Sequence, residues 1–372
     1  MKVSIITVLN TVNYGSALQT FATQRFFEKM GIEIEFVDYW RKDQTTNARI
    51  HRIITDKKKT LKQWVKKPLR DILEIKSIKK SEDIFRKFIV EKIHLTPKTY
   101  FSYEELVKDC PQADVYATGS DQMWNSGWNQ GIEKSFFLEY APENKKRIAF
   151  ATSIGKTQFE KEEADEIIPL IKKYDLVTLR EQSAVDLLKE YDIDGQLVLD
   201  PTLTLKKEDW FEILPKNKRT KPYLLVYQLH MSHNNADFTR AVQEIAARKG
   251  LEIVRVVYSY SDRKVGEKVV LPGVFEFLGL IRGAGFIVTD SFHGTAFSIN
   301  FNKQFAVIYP EFFGTRMDNI LRLTNLQSRR YQSSDSIDKW DTEIVYDEAN
   351  RILEERRTRV EDVFKKYFEV TN

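Results

Sequence analysis

Val3-Ser4-Ile5-Ile6-Thr7-Val8-Leu9 opens the chain as a short run rich in β-branched side chains, the composition of a buried strand. Asn10 to Gly15 breaks the run. Leu18, Phe21, Ala22 and Phe26 then recur at helical spacing between Ala17 and Met30, and Gly31 stops the helix. Glu33 to Tyr39 follows as a second strand, with Ile34, Phe36 and Val37 apolar. Strand, loop, helix, strand is the opening of a parallel α/β unit.

Outward from there, residues 45–110 interrupt the alternation. Leu61, Trp64, Val65, Leu69, Ile72 and Leu73 fall near one helical face with lysines between them, and Ile84, Phe85, Phe88 and Ile89 make a second, so the interval reads as an α-helical insertion. Alternation then returns. Strands are expected at Asp114–Thr118, Arg147–Ser153, Leu176–Arg180 and Gln196–Leu199, with helices at Glu160–Tyr174 and Ser183–Glu190. Lys206 to Pro222, charged and holding two prolines, marks the expected domain boundary. A second series follows: strands at Tyr223–Gln228, Glu252–Val257, Phe286–Thr289 and Phe305–Ile308, and helices at Ala236–Lys249, Phe275–Arg282 and from Thr295. A long charged helix, Asp347–Tyr367, closes the chain. The expected class is α/β, with two Rossmann-like doubly wound domains facing across a cleft. These are an N-terminal domain over 1–205, with the basic helical insertion at about 45–110, a C-terminal domain over 206–345, and a helix over 346–372. Ligands bind at the carboxyl ends of such strands.

Composition agrees. A length of 372 residues suits about two domains at ~150 residues each, and 42% hydrophobic residues build real cores. The single cysteine, Cys110, excludes an intramolecular disulfide and any multi-cysteine metal site. No apolar run reaches the ~18 residues of a membrane span, and the first strand is too short for a signal peptide, so a cytoplasmic protein is expected. Net charge is +4, yet residues 49–92 hold fifteen Lys/Arg against six Asp/Glu, a surplus of nine that leaves −5 on the remainder. That run is either a plain solvated face or a contact for an anionic partner, its alternating lysine and apolar positions suiting a helix lying on the surface of an anionic membrane. No nucleic-acid motif accompanies it, and no nucleic-acid partner is expected.

The strongest chemical signal is Val288-Thr289-Asp290-Ser291-Phe292-His293-Gly294-Thr295, where a strand passes into a helix. Ser291, Gly294 and Thr295 sit beside a helix N-terminus, whose amides and dipole attract anions. His293 at that lip can donate to a phosphate or move a proton. A capped turn with a packed histidine is the plainer alternative. Asn13-Tyr14-Gly15-Ser16 occupies the first strand-to-helix turn and can cradle an acceptor or an anion, or simply cap the helix. Gly119-Ser120-Asp121-Gln122-Met123-Trp124-Asn125 follows a strand end: Asp121 is a candidate base for a sugar hydroxyl, and Trp124 either stacks on a pyranose or is a buried indole. Arg180, closing a strand, and Arg316, in a loop after Gly314-Thr315, either offer guanidinium forks for carboxylate or phosphate or are ordinary surface arginines. His230 and His233 stand three apart, a spacing that can hold a metal, but their neighbours favour a ligand-facing loop and no metal site. No P-loop and no G-x-G-x-x-G are present.

Taken in order, Asn13-Tyr14-Gly15-Ser16-Ala17-Leu18-Gln19, Gly119-Ser120-Asp121-Gln122-Met123-Trp124-Asn125, Arg180-Glu181, Leu199-Asp200-Pro201-Thr202 and Asp290-Ser291-Phe292-His293-Gly294-Thr295 resemble the polysaccharide pyruvyl transferase family. The resemblance implies an architecture like the B-type glycosyltransferases. It also implies transfer of the enolpyruvyl unit of phosphoenolpyruvate onto two hydroxyls of a sugar, giving a cyclic pyruvate ketal in capsule or exopolysaccharide synthesis. Phosphoenolpyruvate is then a co-substrate, with no cofactor and no metal. His293 and Asp121 are the expected catalytic groups; Asn13, Tyr14, Gly15, Ser120, Trp124, Asn125, Arg180, His230, Ser291, Gly294, Thr295 and Arg316 are the expected binding residues. The acceptor stays open between free, nucleotide-linked and lipid-linked sugars, the last placing the enzyme at the inner membrane face. Two rival readings stand beside this one. A nucleotide-sugar glycosyltransferase would need a ribose-binding acid such as Glu276 or Asp290, and a non-catalytic carbohydrate- or membrane-binding protein would need neither.

Overall fold

Parallel strands covered by helices on both faces are buried along their length, and Val3–Ile6, Val115–Asp121, Tyr223–Tyr227 and Phe286–Thr289 are buried throughout. The computed structural model describes residues 1–41, 67–215, 221–230, 235–259, 264, 267–310 and 314–371, with the backbone only of 67–71, 235, 370 and 371. Its elements fall into two units. Among the described residues, the first holds 1–41, 86–205 and 355–371, and the second holds 67–85 and 206–354.

In the first part of the chain come β1 (Lys2–Ile6), α1 (Tyr14–Lys29), β2 (Glu33–Tyr39), α2 (Lys67–Lys92), β3 (Leu95–Tyr100), α3 (Tyr103–Lys108), β4 (Val115–Asp121) and α4 (Ser126–Asn129). They are followed by β5 (Lys146–Thr152), α5 (Lys161–Ile171), β6 (Leu176–Leu179), α6 (Gln182–Lys189), β7 (Gly195–Leu197) and α7 (Pro201–Thr204). The strands form one sheet in the order β3-β2-β1-β4-β5-β6-β7, every pairing parallel. Val3 lies between Ile34 and Val115 in register. Phe26 and Phe27 of α1 pack on Phe150 of β5, with ring centroids 5.2 and 5.0 Å away. Their other contacts reach Phe364 near the C-terminus.

The second part carries α8 (Lys207–Ile213), β8 (Tyr223–Tyr227), α9 (Asn235–Lys249), β9 (Glu252–Val256), β10 (Lys268–Val270), α10 (Val274–Gly283) and β11 (Phe286–Thr289). After these come α11 (Phe292–Asn300), β12 (Phe305–Val307), α12 (Gly314–Leu323) and α13 (Asp347–Thr371). Its sheet runs β10-β9-β8-β11-β12, again all parallel, with Thr289 in register with Tyr227 on one side and Val307 on the other. Leu224, Val226, Val288, Phe238 and Trp340 fill the core on one face.

Both sheets place a strand-order reversal at their centre. In the first it lies between β1 and β4, in the second between β8 and β11. Loops leaving adjacent strands on opposite sides of such a point open a crevice at the carboxyl edge. Asn13 to Ser16 follows β1, Gly119 to Asn125 ends β4, His230 follows β8, and Asp290 to Thr295 follows β11. The four motifs therefore occupy the two switch points.

The expected all-helical interval at 45–110 needs correction. Within it α2 is present, and Phe85, Phe88 and Ile89 are buried as one face. Residues 95–100, however, form an edge strand, and α3 follows it. Pro97 is tolerated there because an edge strand need not donate from that nitrogen. The register shifts beside it, and Asp38 N donates to Thr96 Oγ1 (3.0 Å) instead. Leu61, Trp64 and Val65, and the side chain of Leu69, lie outside the described residues. Among the described residues no helix is long and apolar enough to cross a membrane.

Candidate functional site

The first unit gathers four of the quoted motifs around one guanidinium. Arg180, just past β6, donates from Nη1 to Asp200 Oδ2 (2.8 Å) and from Nη2 to Asp121 Oδ1 (3.2 Å), and Glu181 Oε1 lies 3.7 Å from its Nε. Its side chain is only 1% exposed. Burial alone would lower its basicity, but Asp121, Asp200 and Glu181 outweigh that and hold it above the ordinary arginine range. Ser16 Oγ, in the first turn of α1, donates to the other oxygen of Asp121 (2.8 Å), and Gln122 N donates to Oδ1 (2.9 Å). Asp200 in turn accepts from Thr202 N (3.0 Å) and Thr202 Oγ1 (2.6 Å), capping α7, while Ser153 Oγ donates to Glu181 (2.7 Å). Asp121 sits at φ 81, which turns its carboxylate back over the end of β4 toward α1.

This arrangement corrects several expectations. Arg180 is surrounded by three carboxylates and is not an open fork for phosphate; its guanidinium holds the Asp121 carboxylate in place. Asn13 spends its side chain as the N-cap of α1, accepting from Gly15 N (2.8 Å) and Ser16 N (3.4 Å). The Gly15 amide therefore faces its own cap, and Tyr14 is fully buried. Trp124 is the buried indole of the plainer reading: it is 0% exposed, stacked on Phe137 at 5.8 Å and edge-on to Tyr174 at 5.3 Å, so it cannot meet a sugar. Ser120 is buried and donates to Ala151 O (3.0 Å). Asn125 caps α4, accepting from Trp128 N (3.0 Å), and donates to Gln122 Oε1 (2.6 Å). Glu181 and Asp200 belong to the core of the network and carry no role in the sequence reading, where Ser16 enters only through the first strand-to-helix turn. The signal for Asp200 was the Asp-Pro-Thr run after a strand, which is the pattern of a helix cap.

In the second unit Ser291 is the N-cap of α11, and its Oγ accepts from Gly294 N (3.3 Å). Thr295 Oγ1 returns a bond to Ser291 O (2.9 Å). Gly294 is required by packing: a Cβ there would lie 2.3 Å from Thr289 Oγ1 and 3.0 Å from Tyr227 Cδ1. His293 lies in the first turn, 6% exposed, with its ring edge-on to Phe292 at 5.1 Å. Arg316 is not in a loop. It belongs to the first turn of α12, and its guanidinium carbon stands 5.8 Å from the same Phe292 ring. The structure thus brings Arg316 and His293 to one aromatic spacer at a helix N-terminus, an electropositive setting.

Asp290 works as a clamp. Its two oxygens accept from Leu229 N (2.6 Å) and His230 N (3.0 Å), tying the loop after β8 to the end of β11. Burial pushes its carboxyl up to about 6, against the pull of those amides. His230 therefore contributes its backbone to the corner, and His233 lies outside the described residues. Glu276 caps α10 through Gly273 N (2.9 Å). Both acids weighed for a nucleotide ribose are thus engaged by backbone amides. Among the described residues no group of three or more His, Cys, Asp or Glu could hold a metal ion.

Two all-parallel α/β units, each with a strand-order reversal at its centre, define the class: Rossmann-like proteins of the B-type glycosyltransferase and epimerase fold. The Methanocaldococcus jannaschii UDP-GlcNAc 2-epimerase, solved with UDP-GlcNAc and UDP, is similar over 96% of this chain and 94% of its own (TM-score 0.52, 13% identity). S. aureus MnaA, solved with UDP, is similar over 99% and 96% (TM-score 0.52, 11% identity). At such identities the likeness shows the fold alone. No curated protein matches the sequence significantly. The polysaccharide pyruvyl transferase family matches residues 13–311, and the chain belongs to that family. A transferase of polysaccharide synthesis, acting on a sugar acceptor, follows from that membership.

Proposed function

We propose that the protein transfers the enolpyruvyl unit of phosphoenolpyruvate onto two hydroxyls of one sugar, forming a cyclic pyruvate ketal on a surface-polysaccharide precursor. The start of α11 carries the reading: a Ser291-capped helix N-terminus with His293 in its first turn and Arg316 across the Phe292 ring. A donor bearing both phosphate and carboxylate needs convergent positive potential of this kind. The second unit thus handles the donor and the first the acceptor.

Protonation of the methylene carbon leaves an oxocarbenium-like centre. The first sugar hydroxyl attacks it and gives up its proton, with Asp121 as the base, held in orientation by Ser16 and Arg180. The carbon–oxygen bond to phosphate then breaks, phosphate leaving with the bonding pair and a proton from His293. The second hydroxyl attacks the oxocarbenium centre that phosphate departure restores, closing the ring and returning its proton to His293. Overall, one hydroxyl proton ends on the new methyl group and the other on phosphate, so no oxidant or reductant enters.

The test is incubation with phosphoenolpyruvate and galactose, mannose or N-acetylmannosamine acceptors, read by mass spectrometry and phosphate release. A ketal-sized increment is expected, and His293→Ala should slow turnover ~10²–10⁴-fold. Near wild-type turnover in that variant removes the imidazole from the mechanism. Release of a nucleotide from a sugar donor, with none of phosphate from phosphoenolpyruvate, replaces the reading with glycosyl transfer. The proposal extends to place: the basic segment 49–92 draws the enzyme toward anionic lipid carrying a lipid-linked acceptor.

A further inference from the structure

Just outside the first switch point, at the carboxyl ends of β2 and β3, lies a cavity of about 660 Å³, inside the usual ~300–1,000 Å³ range of ligand sites. Tyr39 and Arg41 line it from the end of β2, Phe101 and Tyr103 from beyond β3, and Asn129 and Glu133 from the end of α4 and the loop after it. Its wall is built rather than incidental. Arg41 donates from Nη1 to Asn129 Oδ1 and from Nη2 to Asn129 O, both 2.7 Å. Asn129 Nδ2 then donates to Gln122 O (3.1 Å) and Met123 O (3.0 Å), the two residues after Asp121. One chain of hydrogen bonds therefore links the cavity to the segment that positions the candidate base.

The surface chemistry is specific. Among the described residues only two Phe, Tyr or Trp side chains are exposed, Phe101 at 45% and Trp128 at 37%. Phe101 lines the cavity, and Trp128 precedes the lining residue Asn129 in the chain. The cations and carboxylates of the lining balance, Arg41 and Lys134 against Glu104 and Glu133. Such balance offers no surplus charge to an anion, and the polar walls do not suit a lipid tail. An exposed phenyl ring, Phe101, beside mixed donors and acceptors matches a neutral polyhydroxylated ring, whose C–H face stacks while its hydroxyls bond at the edge.

We infer that this cavity is a saccharide subsite that holds the part of the acceptor beyond the reacting sugar, so that the acceptor is at least a disaccharide. The inference rests on the acceptor reading of the proposed function and deepens it. The test uses the full chain and galactose-, mannose- and N-acetylmannosamine-containing di- to tetrasaccharides. Binding is measured without phosphoenolpyruvate by saturation-transfer NMR and calorimetry, and turnover by phosphate release. At least one oligosaccharide should bind more tightly than its monosaccharides. Phe101→Ala should weaken that binding at least ten-fold and lower the ratio of oligosaccharide to monosaccharide kcat/KM by as much, while Phe101→Tyr restores both. No oligosaccharide binding better than a monosaccharide, or an unchanged ratio in Phe101→Ala, overturns the subsite. Phe101-dependent oligosaccharide binding without phosphate release supports the subsite and removes pyruvyl transfer. Phosphate release with no Phe101 dependence removes the subsite and leaves the transfer standing.

Discussion

Arg180 illustrates how far a residue's neighbours decide its role. An arginine at the end of a parallel strand reads from sequence as an anion ligand. Here three carboxylates surround it away from solvent, so it organises acid groups rather than meeting a ligand. Removing one partner from a buried ionic cluster leaves uncompensated charge, at a cost of about 3–5 kcal/mol. Arg180→Met should therefore lower stability by about that much in urea unfolding, and Arg180→Lys should not rescue it, because an ammonium cannot span Asp121 and Asp200 as a planar fork does. A loss under 1 kcal/mol in Arg180→Met would show that the cluster does not depend on the guanidinium. Trp124 makes the same point. A tryptophan after a strand reads alike whether it stacks on Phe137 or on a sugar, and only the three-dimensional neighbours separate the two.

At the scale of elements, Asp290 joins the loop after β8 to the strand that launches α11. Its carboxyl is raised to about 6 by burial, whereas in the unfolded chain it titrates near the ordinary value of 3.8. The folded protein therefore holds this proton more tightly. Its contribution is fully present below about pH 4, is lost as pH rises through about 6, and is flat above; two units correspond to about 3 kcal/mol. Asp290→Asn carries no titrating proton, so the stability of the natural protein relative to this variant should fall by about that amount between pH 4 and 7. A relative gain over that range would mean that the amide bonds from Leu229 and His230 outweigh burial. This corner was legible because the β-branched runs, the Ser291 cap and Gly294 are local signals of strand end and helix start. The edge elements were not. β10 has three residues, and β3 carries Pro97 and Lys98 in the middle of its six, so neither shows the periodicity of a buried strand. The Asp121, Arg180 and Asp200 network was legible as motifs but not as a network, since the sheet, not the sequence spacing, brings residues 59 and 20 positions apart into contact.

For the molecule as a whole, the charge distribution makes the last claim testable. The surplus of nine positive charges in residues 49–92 stands against −5 elsewhere, which favours one orientation toward an anionic surface. Alternating lysine and apolar positions in this segment suit a helix lying on anionic lipid, but the Phe85, Phe88 and Ile89 face of α2 is already used, leaving Ile72 and Val90 as the exposed large apolar side chains among its described residues. Phe85 stacks on Tyr258 at 6.3 Å, Phe88 meets Phe21 at 6.2 Å, and Ile89 is 1% exposed. Lys76, Lys79, Lys80 and Lys87 are exposed. Attraction without apolar insertion is Coulombic, worth at most ~1 kcal/mol per basic residue near the surface and cut off beyond a Debye length of ~10 Å at 0.1 M salt. The protein should therefore sediment with vesicles containing phosphatidylserine at about 25 mM salt, leave them by about 0.3 M, and ignore neutral phosphatidylcholine. Replacing Lys76, Lys79, Lys80 and Lys87 with Gln should weaken the low-salt binding several-fold without altering phosphate release on a soluble acceptor. Binding that persists at high salt would mean that apolar insertion, not charge, holds the enzyme at the membrane; equal binding to neutral vesicles would remove the electrostatic reading altogether.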